Sequence, residues 1–70
     1  MDRLRELRER NHLTQAQLAR ELNISQNTIS RYETGERRAG YDELILIADY
    51  FHVSIDYLLG RTDDPTFHQL

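Results

Sequence analysis

The stretch TQAQLARELNISQNTISRYET, Thr14 to Thr34, decides how the chain folds, because two helices and the turn between them are written in its local chemistry. Thr14 and Gln17 stand three apart, the spacing of a capping box, and Leu13 just upstream is placed to act as a hydrophobic staple. Leu18, Ala19 and Leu22 form the inward side of the helix that starts there. Asn23 follows, one of the few residues that accept a left-handed backbone, so this helix can stop sharply. Ile24 fills the turn, Ser25 caps the next helix, and Gly35 provides its C-terminal stop. The small Ala19 suits a steep crossing, in which two backbones approach closely and a larger side chain would overpack the contact.

The second of these helices, SQNTISRYE from Ser25 to Glu33, has an uncommon surface. Ile29 and Tyr32 lie three apart on an inward stripe, while Gln26, Asn27, Ser30 and Arg31 share the other faces. Surface helices usually carry Glu and Lys for solubility. Two amides, a hydroxyl and a guanidinium are instead the groups that match base edges in the DNA major groove, Gln or Asn with adenine and Arg with guanine. A merely solvated polar helix would look the same in isolation; its neighbours give the stretch its meaning.

Upstream, the segment from Asp2 to about Asn11 places Leu4 and Leu7 on one side and orders Glu6 and Arg10 as a favourable i, i+4 pair, which predicts an amphipathic helix. Downstream, Glu36 to Gly40 is a short basic linker. A fourth helix, about Tyr41 to Phe51, carries Leu44, Ile47, Ala48 and Phe51 on a core stripe and leaves Ile45, Leu46 and Tyr50 off it. Val53 packs the following turn, Ser54 caps a short fifth helix containing Ile55, Leu58 and Leu59, and Gly60 ends it. The sequence RTDDPTFHQL, residues 61–70, is polar and contains the only proline, and it reads as a mobile tail. No period-two strand pattern appears. The expectation is one all-α domain of five helices over residues 1–60 with a polar tail over 61–70.

The totals narrow the function. Seventy residues, 39% of them hydrophobic, form one small domain; such a chain buries only about 60% of its unfolded surface, too little to enclose a large catalytic cavity. Without cysteine there is no disulfide framework, thiolate metal site or cysteine nucleophile. His12, His52 and His68 lack metal-ligand spacing, so no metal and no cofactor is expected. No nucleophile, base and orienting group can be assembled, which argues against an enzyme. No run approaches a membrane span of about 18 apolar residues, and MDRLRELRER lacks the apolar segment of a signal peptide, so the expected location is cytoplasmic.

The net charge of −3 is that of an unlikely nucleic-acid ligand until the chain is divided. Residues 1–40 hold eight arginines against six acids, giving +2, and residues 41–70 hold Arg61 against six acids, giving −5. Phosphate attraction depends on local charge, so the acidic half does not forbid a contact made by the basic half. Every basic side chain is Arg, which suits bidentate contacts.

LTQAQLARELNISQNTISRYETG followed by LILIADYFHVSIDYLLG resembles the phage-repressor and Cro type helix-turn-helix family, also called the XRE family, over residues 3–60. Typical members carry Gly where Asn23 stands, a mild departure because Asn tolerates the same backbone. The resemblance implies a compact five-helix, lambda-repressor-like domain whose third helix enters the major groove while the second crosses the DNA backbone. By position it implies that Gln26, Asn27 and Arg31 read bases, that Gln15 contacts phosphate, and that Ser25 and Ser30 touch phosphate or assist a base contact. Thr34, Arg37 and Arg38 would lie along the flanking backbone. Members often carry Lys or Arg where Glu36 stands, so Glu36 is not among the implied phosphate contacts. It implies further that Arg8 pairs with Glu33, placements that the inward neighbours Leu7 and Tyr32 support.

The function so implied is sequence-specific DNA binding and transcriptional regulation, most simply repression by a homodimer on a palindromic operator in double-stranded DNA. Dimerisation also follows from energetics, since one recognition helix offers too little contact to select among genomic sites. Leu46, Tyr50, Tyr57 and Leu58 are the expected dimer interface. The alternative is a protein-interaction module, or an antitoxin, that keeps the fold and binds a protein partner through Ile45, Leu46, Tyr50 and Tyr57.

Overall fold

A computed structural model describes residues 1–66 and contains α1 (Leu4–Arg10), α2 (Gln15–Leu22), α3 (Gln26–Thr34), α4 (Tyr41–Phe51) and α5 (Ile55–Leu58), with no strand among the described residues. In the capping box of α2, Thr14 Oγ1 accepts from the Gln17 backbone N–H at 3.0 Å and Gln17 Oε1 accepts from the Thr14 N–H at 2.8 Å. Ser25 Oγ accepts from Thr28 N at 3.1 Å, and Ser54 Oγ from Tyr57 N at 3.0 Å, so α3 and α5 start the same way.

Four of the five helices also stop alike. Asn23 takes the left-handed conformation at φ 56°, and the next residue, Ile24, donates its N–H back to Ala19 O at 3.0 Å. His12 (φ 59°) and His52 (φ 58°) do the same work, with Leu13 N bonding Arg8 O at 3.1 Å and Val53 N bonding Ala48 O at 3.0 Å. Gly60 at φ 77° lets Arg61 N reach Asp56 O at 2.8 Å. This is the six-to-one hydrogen bond of a Schellman ending, and at Leu13, Ile24 and Val53 the apolar residue beyond the turn packs onto the core, as that motif favours. The left-handed histidines do not show in the sequence pattern. At one end α1 is also shorter than the expected Asp2 to Asn11: Arg3 precedes it without a side-chain cap and spends its own N–H on Leu58 O at 3.2 Å.

Each helix sends one fully buried side chain to the centre: Leu4, Leu18, Ile29, Ile47 and Leu58 are each 0% exposed. Leu7, Leu22, Tyr32, Ala48, Val53 and Tyr57 complete the buried layer, and Leu13, Ile24, Leu44, Phe51 and Ile55 close its edges. The most extensive helix contact is that of α2 with α3, the pair joined by the Asn23 turn. Ala19 is buried in α2 whereas Ala16 is exposed. Ala19→Leu is expected to destabilise the domain by about 1–3 kcal/mol through overpacking, and Ala16→Leu by less than about 0.5 kcal/mol. Urea denaturation of both variants checks this, and equal midpoints would remove the close-crossing argument.

The structure corrects two readings of the C-terminal third. Tyr57 and Leu58 belong to the core, at 5% and 0% exposure, because α5 turns them under the start of α1. The Arg3 guanidinium lies over the Tyr57 ring, 4.2 Å from its centroid. Neither residue presents a surface to a partner, which leaves Leu46 and Tyr50, at 43% and 40%, as the exposed members of that expected interface. Residues 61–66 also fold back against the body instead of trailing free. Arg3 Nη2 donates to Thr62 O at 3.2 Å and to Asp63 Oδ1 at 2.6 Å, and Ser54 N donates to Pro65 O at 3.3 Å. The rest of the expected tail, residues 67–70 with His68, lies outside the described residues.

Candidate nucleic-acid interface

α3 turns one set of polar side chains outward. At about 100° per residue, Gln26, Ser30, Thr34, Asn27 and Arg31 fall within an arc of about 140°, with Ile29 and Tyr32 on the opposite side. Gln26, Asn27, Arg31 and Thr34 are exposed and Ser30 is half-buried, whereas Ile29 and Tyr32 are buried. Among the described residues, the side chains of Gln26, Asn27, Ser30 and Arg31 make no hydrogen bond or ion pair. Their donors and acceptors therefore stand ready for an external partner, and an amide or guanidinium offers two in the spacing of a base edge.

The neighbouring expected contacts are more committed. Ser25 Oγ is used as the α3 cap and lies 2.7 Å from Thr28 Oγ1. Thr34 Oγ1 donates to Arg31 O at 3.2 Å and accepts from Glu36 N at 3.3 Å, which folds the chain leaving α3. Arg37 N then bonds Arg31 O at 3.2 Å, so Arg37 and Arg38 leave from a loop held to the end of α3. Both are exposed.

The arginines divide into two sets. Arg3, Arg5, Arg8, Arg10 and Arg61 are ion-paired, with Asp63 and Glu6, Glu9, Glu33, Glu6 and Asp56 respectively. Among the described residues Arg20, Arg31, Arg37 and Arg38 carry no ion pair, and all four are exposed. Unpaired cations thus concentrate on α2, α3 and the loop after it, the same part of the molecule as the polar arc. Nothing in the local sequence pattern of Arg20 distinguishes it from the paired arginines of α1.

Beneath the interface lies an ion pair that joins three helices. Arg8 Nε donates to Glu33 Oε2 at 2.6 Å and Arg8 Nη2 to Glu33 Oε1 at 3.2 Å, while Arg8 Nη1 donates to Leu13 O at 2.8 Å. Both side chains are buried, at 11% and 4% exposure. The hydrogen bond to Glu33 raises the Arg8 pKa against the opposing effect of burial, so the guanidinium stays charged. Glu33 Oε1 also accepts from Gln15 Nε2 at 3.1 Å. Gln15, expected at phosphate, is therefore half-buried and already bonded on one side. No cluster of three or more metal-ligating side chains is gathered among the described residues.

A family model described as Helix-turn-helix matches residues 4–58, from the first residue of α1 to the last of α5. The chain belongs to the helix-turn-helix family. Among curated relatives it is 41% identical over 63 residues to the uncharacterized HTH-type transcriptional regulator YobD of Bacillus subtilis, covering 90% of this chain and 56% of that one. It is 42% identical over 60 residues to the cryptic phage CTXphi transcriptional repressor RstR of Vibrio cholerae, covering 86% and 54%. It is 40% identical over 59 residues to the HTH-type transcriptional activator BcrR of Enterococcus faecalis, covering 84% and 29%. The helix-turn-helix chain thus spans about half the length of YobD and RstR and less of BcrR. No solved structure matches it. None of the helices in the described residues is long and apolar enough to cross a membrane.

Proposed function

We propose that the protein is a sequence-specific DNA-binding regulator of transcription, acting as a repressor by occupying a palindromic operator as a homodimer. α3 lies in the major groove, where Gln26, Asn27 and Arg31 read base edges. Gln15, Ser25, Ser30, Thr34, Arg37 and Arg38 meet the backbone and set the register. The observation that carries this reading is the set of side chains gathered on one arc of α3: Gln26, Asn27, Ser30 and Arg31 have no hydrogen-bonding partner among the described residues, and their donors and acceptors are of the types that match base edges. Two copies with recognition helices about 34 Å apart double the readout. Leu46 and Tyr50 of α4, the exposed apolar side chains nearest one another in sequence, supply the contact between copies.

Selection of bound sites from a random DNA pool, followed by affinity measurements across salt concentration, tests the proposal. Arg37 and Arg38 of two protomers neutralise four phosphates, so log affinity is expected to fall against log salt with a slope of about −4 or steeper. Recovery of inverted repeats supports the dimer. Failure of every sequence to bind at low salt overturns the reading and favours the other one, a protein-interaction module, for which the exposure of Tyr41, Leu46 and Tyr50 is the supporting observation.

A further inference from the structure

The chemistry of Glu33 constrains Gln15 more tightly than distance alone. Both Glu33 oxygens accept from Arg8, and the Gln15 amide meets Oε1 with its NH2 group and not with its carbonyl, at 3.1 Å. That fixes which way the amide is turned. One Nε2 hydrogen is spent on Glu33 Oε1, and the other Nε2 hydrogen and Oε1 point away from it. Glu33 cannot swing to release the amide, because Arg8 holds both carboxylate oxygens at 2.6 and 3.2 Å and is itself fastened to Leu13 O at 2.8 Å.

The held amide lies at the margin of the polar arc. Glu33 is seven residues beyond Gln26, two helical turns along α3, and its direction differs from that of Gln26 by only about 20° at 3.6 residues per turn. Gln15 opens α2 and is tied to that edge of α3. Charge favours an anion there as well: the Glu33 carboxylate is neutralised by Arg8 and is 4% exposed, so an approaching phosphate meets an N–H donor and little repulsion.

We infer that Glu33 is a positioning residue for DNA binding: with Arg8 behind it, it holds the Gln15 amide so that the second Nε2 hydrogen is presented to a phosphate oxygen at the α2–α3 edge. This rests on the DNA-binding reading above. It adds to that reading a role in affinity for a buried ion pair, and it assigns α1 a part in setting the backbone contact.

The probe is an operator fragment recovered by the selection described above, and every measurement is made where the variant is fully folded. Gln15→Ala is expected to weaken binding about 10- to 100-fold, the value of one hydrogen bond to a charged acceptor. The salt slope should not change, because no charge is lost. Replacing the pair with apolar residues, Arg8→Met with Glu33→Leu, keeps the volume filled and removes the acceptor. Affinity is expected to fall by about the same factor as in Gln15→Ala, and adding Gln15→Ala to this background should cost less than about 2-fold more. Should the apolar pair fail to fold, the Gln15 side-chain amide signals of the natural chain decide the matter by NMR. One Nε2 proton should be shifted by Glu33 in the free protein, and the other should move when the fragment is added.

A folded apolar-pair variant with undiminished affinity overturns the inference. So does an equal cost of Gln15→Ala in both backgrounds, or a Gln15 amide that is unmoved by DNA. If the natural chain binds no fragment at all, the DNA-binding reading fails first, an outcome distinct from these.

Discussion

Arg8→Ala is expected to destabilise the domain by about 3–5 kcal/mol, the typical cost of stranding one partner of a buried ion pair. At about 4–8 °C per kcal/mol for a domain of this size, the melting temperature should fall by more than about 12 °C. A chain of 70 residues has only some 4–10 kcal/mol of stability at about 0.05–0.15 kcal/mol per residue, so this one change removes a large share of it. The cause is the site left behind. Glu33, 4% exposed, would lose both bonds from Arg8 and keep only Gln15 Nε2, and Leu13 O would lose its donor from Arg8. Arg5→Ala provides the control. Its pair with Glu9 is 3.5 Å long between side chains that are 70% and 58% exposed, and such a pair is worth under about 1 kcal/mol. Thermal denaturation followed by circular dichroism separates the two variants, and equal small shifts would show that the Arg8–Glu33 pair does not hold the helices together. The effect carries no pH dependence near neutrality from the arginine side. The Arg8 pKa is raised, so the stability linked to it is present at every pH below the guanidinium range and is lost only as pH climbs through that range.

The parts of the fold legible in the sequence are those whose cause lies within a few residues. Thr14 with Gln17, Ser25 with Thr28, Ser54 with Tyr57, and Asn23 and Gly35 in left-handed backbone are each settled by neighbours in the chain, and each is found where local chemistry puts it. The inward stripe of Leu18, Ile29 and Ile47 is legible for the same reason, since helical periodicity is local. His12 and His52 were not legible, because histidine is no marker for the left-handed conformation; the apolar Leu13 and Val53 beyond them, drawn into the core, complete those turns.

What escaped is the part decided by distant residues. Tyr57 reads as a surface aromatic until Arg3, from the other end of the chain, lies across its ring at 4.2 Å. The same Arg3 captures Asp63, sixty residues away, and turns the start of the polar tail back onto the body. Gln15 looks like any helix-opening polar residue until Glu33, eighteen positions on, takes one of its hydrogens. The candidate interface followed the same rule. Residue types on α3 pointed to base edges, but only tertiary structure divides the polar groups into those already satisfied, such as Ser25 and Thr34, and those left without partners. It also divides the arginines, which by composition are equivalent, into a paired set on and around α1 together with Arg61, and, among the described residues, an unpaired set running from Arg20 to Arg38.

That division gives the second large effect its form. The triple change Gln26→Ala, Asn27→Ala and Arg31→Ala is expected to abolish discrimination between selected and random DNA. Each lost base contact costs about 1–3 kcal/mol of discrimination, so three together lower the specificity ratio by about 100-fold or more even at the bottom of that range, and further in a dimer. Folding should be untouched, since all three side chains are exposed and make no bond among the described residues, and surface changes of that kind stay within about 0.5 kcal/mol. Arg38→Ala should behave in the opposite way. It should weaken every sequence alike and make the salt slope shallower by about 1 per protomer, because the role proposed for Arg38 is a phosphate contact and not a base contact. Gln26→Ala alone should relax preference at one or two positions of the selected site and leave the rest intact. The two patterns are measured on the same set of fragments, by competition between selected and scrambled sites at several salt concentrations. If Arg38→Ala altered sequence preference while the triple change left it whole, the groove would be read from the loop after α3 and not from α3 itself. The unpartnered arc would then be a solvated face, and the major-groove assignment would have to move to Arg37 and Arg38.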